Sequence, residues 1–147
     1  MDAEATRRAI AAAAISIALA GAAGCARPAG PPPIVPGTRC VACGMAIEDL
    51  RFACERPDQD GWRAYDSIEC LIRDTPPGRP AWIADYDTRT LAAAESLWVV
   101  QGEFPSPMGG GYAAFRDRAA ADDVARRTRG QVGRLAAFMT RPAGERR

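Results

Sequence analysis

Beyond residue 25 the chain carries seven sulfur atoms, at Cys40, Cys43, Met45, Cys54, Cys70, Met108 and Met139. Three of them fall within six residues, Cys40-Val41-Ala42-Cys43-Gly44-Met45, and Met108 sits in Ser106-Pro107-Met108-Gly109-Gly110-Gly111. Proline fixes the backbone ahead of Met108, and the glycines behind it allow close approach and positive φ. A lone methionine is ordinarily core filler. One in a Pro-Gly loop has little core to fill, so exposure for a purpose is the better expectation. Soft thiolate and thioether ligands select Cu(I), which unlike zinc is satisfied by two or three sulfurs. A thiol must shed a proton to bind, helped by the metal's charge, whereas methionine has none to lose. A site of Cys43 with Met45 and Met108 is therefore mixed and nearly neutral, suited to a carrier that must give its metal up. Met139, beside Phe138, is expected to be core or surface filler, and Cys54 and Cys70 buried small hydrophobes.

Cys40-x-x-Cys43 alone leaves other chemistries open. A zinc ribbon needs a second CxxC, although a zinc site using all four cysteines is conceivable. A redox pair normally sits at a strand end opening a helix, and Gly44 with the strand pattern behind it argues against that. A structural Cys40–Cys43 disulfide suits an exported protein. Composition narrows the field further. The 147 residues include no histidine, and all 19 cations are arginine against 18 acidic residues, for a net charge of +1. Histidine-based proteolysis and His-ligated zinc or copper are excluded. No basic field exists to hold a phosphate backbone, so nucleic acid is not an expected partner.

The segments around these sulfurs have separate duties. Arg7 and Arg8 precede an apolar run ending Gly21-Ala22-Ala23-Gly24-Cys25. The run is short for a membrane span and has the small-residue exit of a secretory leader. Cysteine after Ala-Ala-Gly looks like a lipobox, with Ala22 where leucine is commonest, so Cys25 is expected to be lipidated. An ordinary secretory leader with an incidental cysteine is the plainer alternative. Two or more acyl chains make such attachment effectively permanent. The expected organisation is a leader over 1–24, a Pro/Gly-rich tether over 25–35, a folded domain over 36–141 and a disordered tail over 142–147.

Within the domain, short strands alternate with single helices. Residues 51–56 and 62–65 are expected to pair across Pro57-Asp58-Gln59-Asp60-Gly61. Asp66 and Ser67 offer an N-cap to a helix carrying Ile68, Leu71 and Ile72, broken after Asp74 by Thr75-Pro76-Pro77-Gly78. A strand over 81–86 closes the first half. Strands over 97–101 and 111–115, a helix from Asp117 or Arg118 to Gly130, and a strand over 131–139 make the second. The class is α+β with two similar ββαβ halves, consistent with duplication. Trp62, Trp82, Trp98 and Phe115 are assigned to the core, and Arg126-Arg127-Thr128-Arg129 to a solvated helix face.

Taken together these motifs resemble the NosL family of copper-binding lipoproteins. The resemblance rests on lipobox Cys25, Cys40-x-x-Cys43-Gly44-Met45-x-Ile47, Tyr65-Asp66-Ser67-Ile68-x-Cys70-Leu71 and Asp85-Tyr86-Asp87-Thr88. It continues through Trp98-Val99-Val100-Gln101-Gly102 and Pro107-Met108-Gly109-Gly110-Gly111-Tyr112-Ala113-Ala114-Phe115. It implies a duplicated ββαβ fold like the organomercurial lyase core. It also implies Cu(I) binding by Cys43, Met45 and Met108 with Cys40 as an additional ligand, and no catalytic residues. Delivery to nitrous oxide reductase, or to another periplasmic cuproprotein, follows from the same resemblance, with the chain lipid-anchored in the cell envelope facing the periplasm or outside. Histidine near the site occurs in such proteins; here any such ligand is absent or supplied by the partner. The rival readings are a thiol-disulfide oxidoreductase, a carbon–mercury lyase using two thiols and an acid such as Asp66, Asp85 or Asp87, and a structural lipoprotein with a CxxC disulfide.

Overall fold

The computed structural model describes residues 30–139. The expected leader, Cys25 and the tail lie outside them. Strands β1 (Cys54–Asp58), β2 (Gly61–Tyr65), β3 (Trp82–Ala84) and β4 (Leu91–Ala93) form one antiparallel sheet in the order β2-β1-β3-β4. Strands β5 (Trp98–Gln101), β6 (Tyr112–Phe115) and β7 (Gln131–Gly133) form a second in the order β6-β5-β7. The helices are α1 (Ile68–Asp74), α2 (Arg118–Arg127) and α3 (Leu135–Met139), with a single 3-10 turn at Ala94–Ser96. Among the described residues no helix is long and apolar enough to cross a membrane.

Local chemistry explains where these elements begin and end. β1 starts at Cys54 rather than at residue 51 because Asp49 turns the chain: its Oδ1 accepts from the Arg51 N–H, and its carbonyl from the Phe52 N–H. Such Asx turns compete with strand formation. Pro57 fits inside β1 because β3 pairs only with Cys54 and Glu55, so no β3 carbonyl awaits its missing N–H. α1 begins where Ser67 caps it, its Oγ accepting from the Cys70 N–H. β4 was not legible: Leu91-Ala92-Ala93 has neither polar–apolar alternation nor β-branched residues, yet it pairs with β3 in the register Ile83↔Ala92.

The expected strand over 131–139 is corrected. Only Gln131–Gly133 pairs, with β5, and Leu135–Met139 is helical. Leu135 and Phe138, three apart, are both buried, which is helical spacing and not strand alternation.

One shared core joins the sheets. Cys54, Tyr65, Ile68, Leu71 and Ile83 from the first half pack with Leu97, Val99, Tyr112, Ala114, Leu135 and Phe138 from the second. The opposite face of the second sheet presents Val100, Ala113 and Phe115 to Ala121 and Ala125 of α2. Burial of each large aliphatic side chain contributes about 1.5–3 kcal/mol, so the pairing of sheets is cemented mainly by this layer. Ile34 is half-buried against the core, ahead of residue 36 where the folded part was expected to begin. Phe115 is buried as expected, whereas the tryptophans are half-buried at the surface. Trp62 and Trp82 meet edge to face at 5.0 Å, and Trp98 lies between the guanidinium groups of Arg118 and Arg134.

Candidate metal centre

The segment 40–45 folds as a tight turn. The Gly44 N–H donates to the Cys40 carbonyl at 2.9 Å and the Cys40 N–H to the Met45 carbonyl at 2.8 Å. Gly44 takes φ +77°, a conformation glycine adopts without the strain of a Cβ. The Val41 N–H donates to the Ala64 carbonyl at 3.0 Å, fastening the turn to β2. Arg39 Nη1 locks it from outside by donating to the Gly44 carbonyl.

β2 ends at Tyr65 and α1 begins at Ile68, so Asp66 and Ser67 form a two-residue junction beneath the turn. The junction is braced where α1 ends: the Tyr65 hydroxyl donates to Asp74 Oδ2 at 2.7 Å and accepts from Arg56 Nε at 2.8 Å. These contacts hold the Asp74 carboxyl below its usual range, the Tyr65 hydrogen bond foremost. Because Ser67 caps the helix, the Asp66 carboxylate is free for other work.

Turn and junction meet at one point. The Sγ atoms of Cys40, Cys43 and Cys70 and a carboxylate oxygen of Asp66 lie within 4.8 Å of one another. All four described cysteines are free thiols. Cys43 Sγ donates to Asp66 Oδ2 at 3.5 Å, and Arg73 Nη2 donates to Cys70 Sγ at 3.3 Å. Asp66 is 3% exposed and its Oδ1 has no hydrogen-bond partner. Burial pushes the Cys43 thiol up and the Asp66 charge adds to the rise, while the Met45 backbone hydrogen bond opposes it. Burial pushes the Cys70 thiol up strongly, and the neighbouring Asp66 carboxylate adds to the rise. A metal binding Cys43 and Cys70 must displace their protons.

The two thioethers come from the 40–45 turn itself and from a separate loop. Met45, two residues after Cys43, is 43% exposed. Met108 is half-buried against the core and lines a cleft of about 740 Å³ with Glu69, Gln101, Phe104, Tyr112 and Gln131. Glu69, next to Cys70, ties the Met108 loop down: its Oε1 accepts from Ser106 Oγ and from the Gly110 N–H, each at 2.9 Å. A Cβ on Gly110 would stand 2.7 Å from that oxygen, which explains a glycine there. The expected exposure of a Pro-Gly-loop methionine is thus met only in part. Met139 is half-buried against the core, a filler as anticipated.

Of the expected ligands, Cys40 and Cys43 belong to the four-residue cluster, which adds Asp66 and Cys70. Cys70 is buried, as expected, but is no mere hydrophobe. Cys54 is: it is fully buried, its thiol hydrogen-bonds the Phe52 carbonyl at 3.3 Å, and burial drives its pKa well above the ordinary value. The available signal was the spacing Asp66-x-x-x-Cys70 across a strand end and the first turn of a helix. It shows convergence only once the 40–45 turn is placed over it.

No protein-family model matches the chain, and no curated protein does. Among solved structures, the copper chaperone NosL from Shewanella denitrificans matches with a TM-score of 0.62. The two are 15% identical, over 78% of this chain and 100% of that one. The chain therefore has the fold of NosL.

Proposed function

We propose that this protein is a NosL-like Cu(I) metallochaperone, a carrier with no catalytic residues. The observation that carries the reading is the convergence of Cys40, Cys43 and Cys70 at one point of this fold. Cys43, Met45 and Met108 are the proposed Cu(I) ligands with Cys40 additional, and Cys70 enlarges the thiol set. A soft monovalent ion suits sulfur donors, and thioethers keep the bound charge small enough for release. The lipidated Cys25 anchors the domain to a membrane of the cell envelope, facing the periplasm or outside. Copper passes from it to nitrous oxide reductase, for assembly of its copper-sulfide centre, or to another periplasmic cuproprotein. A duplicated ββαβ origin is supported by the matching strand orders β2-β1-β3 and β6-β5-β7, each with its helix after the hairpin. The likeness to the organomercurial lyase core is proposed as one of fold alone.

The test is an anaerobic Cu(I) titration against a competing chelator under reducing conditions. One Cu(I) per chain is expected. Cys43→Ser and Met108→Ala are expected to weaken binding by about tenfold or more, and Met139→Ala to leave it unchanged. Parental affinity in all three variants would sink the ligand assignment. Mixing the loaded protein with copper-free nitrous oxide reductase tests the client: no transfer above that from free Cu(I) at equal concentration rejects it. Insulin-reduction and organomercurial protonolysis assays are expected to show no turnover.

A further inference from the structure

We propose that the paired indoles of Trp62 and Trp82 form the face on which the domain seats itself against a lipid bilayer. The inference rests on the lipidated Cys25 of the proposed function and adds to it which face meets the membrane. Part of the segment expected as a tether over 25–35 is docked on the domain. A Cβ on Gly30 would stand 3.6 Å from the Trp82 indole nitrogen. Pro31, Pro33 and Ile34 then line a hollow of about 350 Å³ with Leu50, Ala84 and Leu91. Trp82 opens β3, Ala84 closes it and Leu91 pairs with Ala84, so the segment runs along the first sheet away from Trp82. Gly30 is only five residues beyond Cys25. Five residues span at most about 18 Å at full extension. A domain of this size has a radius of gyration of about 13 Å and is roughly 30 Å across. An anchor at Cys25 therefore brings the surface around Gly30 to the bilayer, and Trp82 is part of that surface.

The side chains there suit a bilayer interface. Trp62 pairs with Pro57 and Trp82 with Glu55, two residues apart on β1, so the two indoles share one face of the sheet. Their rings meet edge to face at 5.0 Å, and both are half-buried, leaving part of each at the surface. Tryptophan favours the membrane–water boundary because its apolar ring meets acyl chains while its N–H meets headgroups. Trp98, in the second sheet, is instead covered by the guanidinium groups of Arg118 and Arg134. Charge does not supply the attraction at the Trp62–Trp82 face. Arg63 is bound to Asp58 and Asp74, and exposed Arg79 is offset by exposed Asp60. A seat without a polybasic cluster takes the interface of the bilayer and not its anionic headgroups. The Asp66 junction follows Tyr65, three residues or about 10 Å along β2 from Trp62, so the thiol cluster stands above the lipid.

The experiment places the full lipidated chain in phosphatidylcholine vesicles whose acyl chains carry bromine just below the headgroups, and reads tryptophan fluorescence. Trp98→Phe, which reports only the pair, is expected to shift to the blue and lose roughly half or more of its emission. The double variant Trp62→Phe/Trp82→Phe, which reports only Trp98, is expected to keep its emission. Circular dichroism establishes which variants fold; where Trp98→Phe does not, the parent compared with the double variant carries the same test. Quenching is expected to persist at high salt and without anionic lipid. Equal quenching of the pair and of Trp98, or quenching that requires anionic lipid and disappears at high salt, overturns the inference. Flotation with the vesicles tests the anchor by itself. A chain left behind rejects the anchor and this inference together, whereas a chain that floats with the pair unquenched rejects this inference alone.

Discussion

The chain turns from a hairpin into a helix twice, and the two junctions divide their labour differently. At the first, Tyr65 leads through Asp66 and Ser67 into α1; at the second, Phe115 leads through Arg116 and Asp117 into α2. Asp117 caps its own helix, Oδ1 accepting from the Ala119 N–H at 2.9 Å, and it stands exposed. In α1 the cap belongs to Ser67, and the aspartate beside it is buried against a thiol. The second helical position is Glu69 in α1, holding the Met108 loop, and Ala119 in α2, exposed. The cap falls at the same place in both junctions, and the residue before it, Asp66 against Arg116, makes the first a chemical junction and the second a structural one. The sheets differ likewise: by register Glu55 occupies the place of Val99, since Cys54 pairs with Tyr65 as Trp98 pairs with Phe115.

The largest expected break in this contrast is Glu69→Ala. It strands the Ser106 hydroxyl and the Gly110 N–H, and a stability loss of about 2–3 kcal/mol is expected in urea unfolding. Ala119→Ser at the matching site is expected to change almost nothing.

Next is Glu55→Gln. Glu55 is 5% exposed with Oε2 unpartnered, and burial lifts its carboxyl from 4.5 to about 7. The folded state therefore binds this proton more tightly than the unfolded chain. Stability from this group is fullest below pH 4.5 and falls as pH rises to about 7. The amide is expected to add on the order of 1–3 kcal/mol at pH 8 and little at pH 4, flattening the profile between. An equal effect at both values contradicts the assignment.

Smallest is the cap exchange. Ser67→Ala is expected to cost about 1–2 kcal/mol and Asp117→Ala about 0.5–1 kcal/mol. Only the first is expected to weaken metal binding, because only there does the junction carry ligands. Equal metal affinity in both variants removes the distinction.

Much of this architecture was legible in the residues. The hairpin turn, tightened to the two residues between Asp58 and Gly61, the Ser67 cap and the start of α2 follow from short polar side chains and glycine at positions that demand them. The CxxC segment was legible as chemistry, whereas the turn it makes around Gly44 is a finding of the structure. Cys70 and Asp66 were harder. Each has an adequate local role, as buried hydrophobe and as cap, and their convergence with Cys40 is a tertiary fact set by the Val41 to Ala64 hydrogen bond. β4 and α3 escaped for a related reason: alanine-rich and short segments take their structure from the surface they meet, through Ile83 for β4 and through Leu135 and Phe138 for α3.

The central claim is that sulfur at this junction holds the cargo. Copper-edge X-ray absorption on the full chain loaded with one equivalent of Cu(I) tests it most directly. The expected result is a Cu(I) edge with sulfur as the sole nearest scatterer, the coordination falling by one in Cys43→Ser. A first shell of nitrogen or oxygen, or a Cys43→Ser spectrum identical to the parent, contradicts the account.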